Sequence, residues 1–169
     1  KGYTRHPGSL YRVFVRLGYR QKAESTKKKS KHNGKYDTPA TIGIKWQLDV
    51  KYVPTACYSG TDGEKFYQYT IIDEASRERF IYPYKEQSGY STVDFVKRAI
   101  IYFGYAPKII QTDNGSEFCN TKKTNRTHYF DAFCAEYNIH HKTIRPKTPW
   151  HNGKVERSHR NDQDRFYNY

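Results

Sequence analysis

The sequence predicts an α/β fold in which a mixed five-stranded sheet is flanked by helices. Two observations carry this prediction. After residue 41, apolar residues alternate with period two in several segments, and in other segments they switch to helical spacing. The predicted order of elements is β, β, β, α, β, α, β, α. At 169 residues, 36% of them hydrophobic, the chain is long enough for one such domain and a small appendage.

The first three predicted strands follow residue 44. In "KWQLDVKYV" every second residue is apolar, which predicts a strand with one apolar face and a carboxylate, Asp49, in its middle. The segment "KFYQYTIIDEASRERFIYPYK" predicts two more strands joined by a turn near residues 74–76. Five acids outside the strongest motifs are interpreted as surface or turn residues: Asp62, Asp73, Glu74, Asp94 and Glu117.

The rest of the domain alternates helices and strands. In "STVDFVKRAIIYFG" a helical stripe of core residues (Val93, Val96, Ala99, Ile100 and Phe103) stops at Gly104. The strand "KIIQT" then leads to Asp113. A helix is predicted over about 128–138, a strand over about 139–145, and a final polar helix carries Glu156.

Basic charge is concentrated in the first 40 residues, which carry a net +9 of the chain's +13. Such a block indicates a polyanionic partner, for which nucleic acid is the obvious candidate. Residues 1–20 include a predicted basic amphipathic helix at Gly8–Arg20, and residues 21–40 read as a basic linker before a domain at 41–169. Taken alone, "KKKSK" (Lys27–Lys31) fits a solvated linker better than a binding site.

Several classes of protein are disfavoured by composition. No apolar run reaches the length of a membrane span. Three cysteines without CxxC spacing argue against a disulfide framework and against zinc, and favour an intracellular, cytoplasmic setting, at the nucleoid in a bacterium. The absence of methionine suggests a fragment of a longer protein.

Three carboxylates stand out by position: Asp49 inside the first strand, Asp113 after the fourth and Glu156 on the last helix. If the first and fourth strands are neighbours, these acids meet at one edge of the sheet. Crowded carboxylates repel unless cations lie between them, and Mg²⁺ prefers such oxygen ligands. Two ions would clamp a phosphodiester, while small neighbours (Asn114, Gly115, Asn152 and Gly153) let a duplex approach.

The blocks "WQLDVKY", "TDNGSEF" and "TPWHNGKVERSHR" resemble the three catalytic blocks of the DDE transposases and retroviral-type integrases, particularly the integrase-core transposases of bacterial insertion sequences. The resemblance covers about residues 41–169. It implies a ribonuclease H-like fold, with Asp49, Asp113 and Glu156 as catalytic, metal-binding acids. It also implies two Mg²⁺ or Mn²⁺ ions, and DNA 3'-end cleavage followed by strand transfer, carried out by a homo-oligomer on DNA.

Contacts to DNA are expected from two regions. In the last block the resemblance assigns Asn152, Lys154 and Arg160 to the element's DNA end, and Arg157 lies among them. Residues 9–20 are similar to the last helix of the helix-turn-helix modules that precede such cores. The expected contacts of the basic N-terminal part are Arg12, Arg16, Lys27, Lys28 and Lys29.

One departure concerns spacing. Forty-two residues separate Asp113 from Glu156, more than is usual in the family, and the excess falls in "NTKKTNRT" (Asn120–Thr127), a predicted surface loop. The core is also expected to be C-terminally truncated. Two alternatives remain: a ribonuclease H-type nuclease that only hydrolyses, and an inactive DNA-binding relic. For Glu156 an i, i+4 pair with Arg160, and for Asp113 a simple Asx turn, are the non-catalytic readings.

Overall fold

The computed structural model describes residues 7–19, 38–58, 63–122, 124–144 and 152–168. The chain divides into two compact units, Lys1–Lys35 and Tyr36–Tyr169. The first unit contains helix α1, Pro7–Arg16, as the sequence predicted. Gly18 has φ 76°, a left-handed conformation that suits the predicted stop. The apolar stripe of α1 is not buried within its unit, since Phe14 and Leu17 are exposed.

The second unit contains the predicted order of five strands and three helices. The strands are β1 (Lys45–Tyr52), β2 (Tyr67–Asp73), β3 (Arg79–Tyr84), β4 (Ile109–Thr112) and β5 (His140–Thr143). The helices are α2 (Gly89–Phe103), α3 (Tyr129–Glu136) and α4 (Gly153–Asp162), and a π-helical segment, Gln163–Tyr167, continues α4. Helix α3 ends earlier than predicted, and Asn138 next to its end has φ 55°.

The strand order is β3-β2-β1-β4-β5. Strands β1, β2 and β3 form an antiparallel meander, whereas β4 pairs in parallel with β1 and β5 in parallel with β4. The sheet is therefore mixed and five-stranded, which confirms the predicted fold class. The adjacency of β1 and β4, on which the argument about Asp49 and Asp113 depended, is also confirmed.

One face of the sheet holds the apolar core. The predicted strand face contributes Trp46 and Leu48, both fully buried, and Trp46 packs against Phe103 of α2. Helix α2 starts with the Ser88 hydroxyl accepting from the Ser91 N–H and ends at Gly104, in the left-handed conformation. Its predicted stripe is buried or half-buried. Phe95, outside that stripe, is fully buried as well, because it packs on Tyr69 from the sheet.

The opposite face of the sheet is polar and lies under α4. Gln47, Gln68 and Thr70 are buried there, and their side chains bond to α4 or to one another. The surface interpretation of two acids, one on each side of the sheet, is wrong. Asp73 and Glu74 do lie at the predicted turn, but both are fully buried, because N–H and ammonium groups surround their carboxylates.

Two further predictions concern the surface. Glu117, also interpreted as a surface acid, is buried and accepts a hydrogen bond from Gln87 at 2.5 Å. The extra segment 120–127 is exposed at every residue whose side chain is described, so the predicted surface loop is confirmed there. No helix in the described ranges has both the length and the apolar character that crossing a membrane requires.

Candidate active site

The parallel pairing of β1 and β4 brings Asp49 and Asp113 to the same level of the sheet. Gln47 of β1 is in register with Gln111 of β4, and each acid lies two residues further along its chain. Because side chains alternate with period two, residues two apart lie on the same face of a strand. Asp49, within β1, and Asp113, directly after β4, therefore lie on the polar face of the sheet, the face on which α4 packs.

Asp113 is fixed by a tight turn. Its Oδ1 accepts the N–H of Gly115 at 2.9 Å, which is the Asx turn that the Asp-Asn-Gly sequence indicates. Burial raises the pKa of Asp113, the bond from Gly115 opposes that rise, and the charge of Asp49 adds to it. Asp113 therefore forms the Asx turn and also lies close to a second carboxylate, that of Asp49.

The N-terminus of α4 is held by two buried residues of the polar face. Gln47 Oε1 accepts the N–H groups of Lys154 at 3.1 Å and Val155 at 3.2 Å, two donors that a helix start would otherwise leave unpaired. The Nε2 of the same glutamine donates to Glu74 Oε1 at 2.7 Å, and Glu74 Oε2 accepts from Lys154 Nζ at 3.0 Å. These contacts fix the position of the start of α4. The contact at Val155 lies one residue before Glu156.

Glu156 lies within electrostatic reach of both other acids. Burial raises its pKa, the charge of Asp49 raises it further, His159 opposes the rise, and Asp113 adds to it. Among the described residues Glu156 forms no ion pair with Arg160, so the i, i+4 reading has no support here. Three carboxylates from β1, the end of β4 and α4 therefore repel one another in this structure.

His159 is part of this cluster, and the sequence analysis did not single it out. Its Nδ1 lies 3.3 Å from Asp49 Oδ2, and its buried Nε2 has no hydrogen-bond partner among the described residues. The signal in the sequence was its position three residues after Glu156, which puts both on one side of α4.

The donor chemistry of this cluster fits a hard divalent cation. Carboxylate oxygens are the preferred ligands of Mg²⁺, and a cation would offset the mutual repulsion that raises the pKa of Asp113 and of Glu156. As the side chains stand, however, no three His, Cys, Asp or Glu residues within the described ranges form a ready metal-ligand group. The chain therefore offers oxygen ligands of a suitable kind, but the described side chains are not arranged around one metal position.

The expected DNA contacts differ in how accessible they are. Asn152 is 2% exposed and its Nδ2 donates to the Leu48 carbonyl, so this side chain faces the protein. Lys154 binds Glu74 and the Thr38 hydroxyl. Arg157 and Arg160 are exposed on α4, as Arg12 and Arg16 are on α1. Lys27, Lys28 and Lys29 lie outside the described residues.

Comparisons with known proteins find similarity in both sequence and fold. The model of the integrase core domain family matches residues 42–149, a range that includes Asp49 and Asp113 and ends before Glu156. Over 144 residues the chain is 37% identical to the putative integrase ORF3 of Spiroplasma virus SpV1-C74, covering 78% of this chain and 38% of that protein. It is 31% identical over 100 residues to the retrovirus-related Pol polyprotein from transposon TNT 1-94 of Nicotiana tabacum, covering 58% of this chain and 7% of the polyprotein.

Solved structures share the fold at low sequence identity. A chain of the simian T-cell lymphotropic virus intasome in complex with the PP2A regulatory subunit B56 gamma superposes with a TM-score of 0.66 at 22% identity, over 80% of this chain and 44% of that one. The HTLV-2 integrase catalytic core domain in complex with magnesium, in its trimeric form, gives 0.54 at 24% identity, over 72% and 68%. The similarity to known proteins therefore includes the fold as well as the sequence.

Proposed function

The chain belongs to the integrase core domain family, and from that premise we propose that it cuts DNA ends and joins them to a second DNA, as integrases and transposases do. One observation carries the proposal most directly: three carboxylates from three separate elements, Asp49, Asp113 and Glu156, lie within electrostatic reach on the polar face of the sheet. The chain spans 38% of the length of its Spiroplasma virus relative, so the activity of a whole integrase is part of the proposal.

Each of the three acids has a role in the proposal. Asp49, Asp113 and Glu156 are the ligands for Mg²⁺ or Mn²⁺, two ions per site, and the magnesium in the HTLV-2 core domain supports the choice of metal. When bound, the ions supply charge stabilisation at a phosphodiester and favour deprotonation of the attacking oxygen. Gly115 holds the Asp113 carboxylate in one orientation, and His159 does the same for Asp49.

The reaction has two displacements at phosphorus. In the first, a water oxygen bonds to the phosphorus at the element's 3' end and the bond from that phosphorus to the element's 3' oxygen breaks, which frees the element's 3'-hydroxyl and leaves the phosphate on the flanking strand. In the second, that hydroxyl oxygen attacks a phosphodiester of the target DNA and its ester oxygen leaves. No covalent link to the protein is needed, so the acids of this chain hold and orient and do not act as nucleophiles.

The exposed cations of the chain would hold the DNA. Arg157 and Arg160 lie on α4 beside Glu156, and Arg12 and Arg16 are on α1. Replacing Lys27, Lys28 and Lys29 by Gln should flatten the salt dependence of DNA affinity, by about 0.9 in the log–log slope for each phosphate that the variant no longer neutralises. If the slope is unchanged, these three lysines do not contact DNA phosphates and their segment serves as a spacer.

The proposal also covers the oligomeric state of the protein and the place where the reaction occurs. The intasome relative supports assembly of several copies on DNA, which light scattering of the protein with and without DNA would detect. The reaction would take place inside the cell, where the DNA is.

The proposal is tested with labelled linear DNA carrying candidate element ends, incubated with the protein and Mg²⁺ or EDTA. Joined products in Mg²⁺ alone are expected, and Asp49→Asn, Asp113→Asn and Glu156→Gln should each abolish them while DNA binding persists. Shortened products without joining would favour the hydrolytic nuclease, and wild-type turnover in any one variant would remove that residue from the site.

A further inference from the structure

A large groove lies beside the candidate active site without including its acids. It has a volume of about 910 Å³ and runs between strands β2 and β3 on one side and α4 with its π-helical segment on the other. Its sheet residues, such as Arg79 and Ile81, alternate with Phe80, which packs on Phe95 in the core. The groove therefore opens on the polar face of the sheet. We refer to it as the β3–α4 groove.

The geometry of α4 separates this groove from the acids. Glu156 and His159 lie on the side of the helix over β1, where Lys51 contacts the His159 carbonyl. Arg157 and Arg165, eight residues apart on the helix and its continuation, lie on the side that faces β3. Strand β3 is two strands from β1, a distance of about 10 Å, and on the side away from β4 and Asp113.

The lining of the groove is cationic. Asp162 is its acidic residue, and Arg79 already pairs with that carboxylate at 2.7 Å. Arg77, Arg157 and Arg165 are exposed and form no ion pair with any described residue. Three guanidinium groups that line one groove suit an anion with several charges, since guanidinium binds phosphate oxygens in a bidentate manner.

An exposed aromatic ring lies at the same place. Phe166 is 73% exposed and borders the groove, and Ile81 contributes a second apolar surface, 37% exposed. The Phe166 and Tyr167 rings meet at 77° with centroids 5.3 Å apart, so they do not stack face to face and at least one flat face of Phe166 is not covered by that neighbour. A cationic groove with an open aromatic face is the combination that holds single-stranded nucleic acid: phosphates bind the cations and a base stacks on the ring.

We propose that the β3–α4 groove binds a single strand of nucleic acid, with Arg77, Arg157 and Arg165 on its phosphates and Phe166 stacked on a base. This is a second nucleic-acid site on the domain. It goes beyond the proposed function, because it requires neither the three acids nor a metal ion. A duplex offers no free base face to Phe166, and an acidic polypeptide offers no base at all, so the ring distinguishes the three kinds of ligand.

The first test measures binding of fluorescein-labelled oligothymidine to the whole chain in EDTA by fluorescence anisotropy. Phe166→Leu should weaken binding by roughly 5- to 150-fold, the range expected when a single base no longer stacks on a ring. The pair Arg157→Gln and Arg165→Gln should lower the salt slope by about 1.4, or 0.7 for each phosphate contact to a single strand. The matched control is Lys97→Gln with Lys108→Gln, which removes the same charge from exposed positions outside the groove.

A second readout is local, because the basic first 40 residues will themselves attract oligonucleotide. Phe166→Trp adds a tryptophan in the groove to Trp46 and Trp150, and oligothymidine should quench this added emission, measured against the unmodified chain, over the concentrations at which anisotropy rises. Absence of quenching, or groove variants that behave like the lysine control, would overturn the proposal. Equal loss for duplex and single strand, or quenching by oligoglutamate instead of oligothymidine, would also overturn it in favour of a duplex or an acidic polypeptide.

Loss of oligothymidine binding in Phe166→Leu with DNA joining retained would support the groove and the proposed function independently. Loss of joining in the acid variants with quenching retained in Phe166→Trp would show that the two sites are separate. If the unmodified chain joins no DNA, the quenching experiment still tests the groove. Failure of the proposed function can therefore be distinguished from failure of the groove proposal.

Discussion

Lys154 donates a hydrogen bond to Glu74 across 80 residues of sequence, at 3.0 Å and with Glu74 fully buried. Lys45 lies 3.2 Å from the other oxygen of the same carboxylate, so one buried acid serves two lysines. Burial lowers the pKa of Lys45, and the charge of Glu74 opposes that effect. Because Lys154 is in the first turn of α4, the pair ties the helix that carries Glu156 to the end of β2.

The first prediction tests this pair. Glu74→Gln should destabilise the protein by about 3–5 kcal/mol, since it leaves two lysines without their carboxylate. Lys154→Met should cost less, because Lys45 still pairs with Glu74. Urea unfolding of Glu74→Gln, Lys154→Met and the double variant should show that the two losses of unfolding free energy are not additive, with a coupling free energy of about 0.5–3 kcal/mol. The exposed pair Lys85–Glu64 is the control, and Lys85→Met should cost under about 1 kcal/mol. Additive effects at Glu74 and Lys154 would contradict the coupling.

The second prediction concerns the charge of Asp113. Its pKa is raised by burial and by Asp49, so at neutral pH the ionised carboxylate costs folding free energy. Asp113→Asn keeps the acceptor for Gly115 and removes the charge, and should therefore raise the melting temperature in metal-free buffer. Mg²⁺ should stabilise the unmodified chain but not the variant.

Glu136→Gln, an equal change of charge at an exposed site on α3, is the control for this second prediction. It should leave both the melting temperature and the response to Mg²⁺ unchanged. A variant at Asp113 that still responds to Mg²⁺ would show that this carboxylate is not a ligand.

The third prediction contrasts two changes of length. Asn120 Nδ2 donates to the Arg126 carbonyl at 2.7 Å, so the ends of the exposed loop lie close together. Deleting Thr121–Thr127 and closing the gap with a short Gly linker should leave metal-dependent DNA chemistry largely intact, since closure entropy changes slowly with loop length. The same assay should find activity lost when one Ala is inserted between Gly153 and Lys154. That insertion rotates Glu156 by about 100° relative to the start of α4. The reverse pattern would mean that the loop, and not this part of α4, belongs to the active site.

The fourth prediction concerns pH and Asp73. Burial alone would raise the pKa of Asp73, but hydrogen bonds from the N–H groups of Gly43, Ser76 and Ala75 and from the Trp46 indole outweigh it and hold the pKa below its ordinary 3.8. The folded state thus favours the ionised form. The resulting stability is present above the unfolded pKa and is lost as pH falls through the lowered folded pKa.

Asp73→Asn should consequently destabilise the protein at neutral pH, and the difference from the unmodified chain should shrink as the pH falls below about 3.8. Thermal unfolding across a pH series measures both effects. A difference that stays constant with pH would assign the loss to altered hydrogen-bond geometry instead of charge. Glu136→Gln again serves as the exposed control.

Much of the fold followed from local pattern. Alternation in β1 and the helical stripe of α2 are decided by neighbours a few residues apart, so the element order was predictable, and so was the turn at Asp113. Phe95 was missed because its burial depends on Tyr69 and Phe80, which come from strands and not from the helix itself. The motifs around the three acids resemble the family closely enough to indicate the site before any contact was known.

The sequence by itself determined which elements form, which residues face the apolar core in β1 and α2, and which three acids to examine. Only the tertiary structure decided that Glu74 is buried between two lysines, that His159 lies against Asp49, that Asn152 faces the protein, and that a cationic groove runs beside α4. The physical reason is the separation along the chain. Local periodicity is set by neighbours a few positions apart, whereas the contacts of Lys154, Asn152 and His159 join residues 80 or more apart, whose meeting depends on how α4 packs on the sheet.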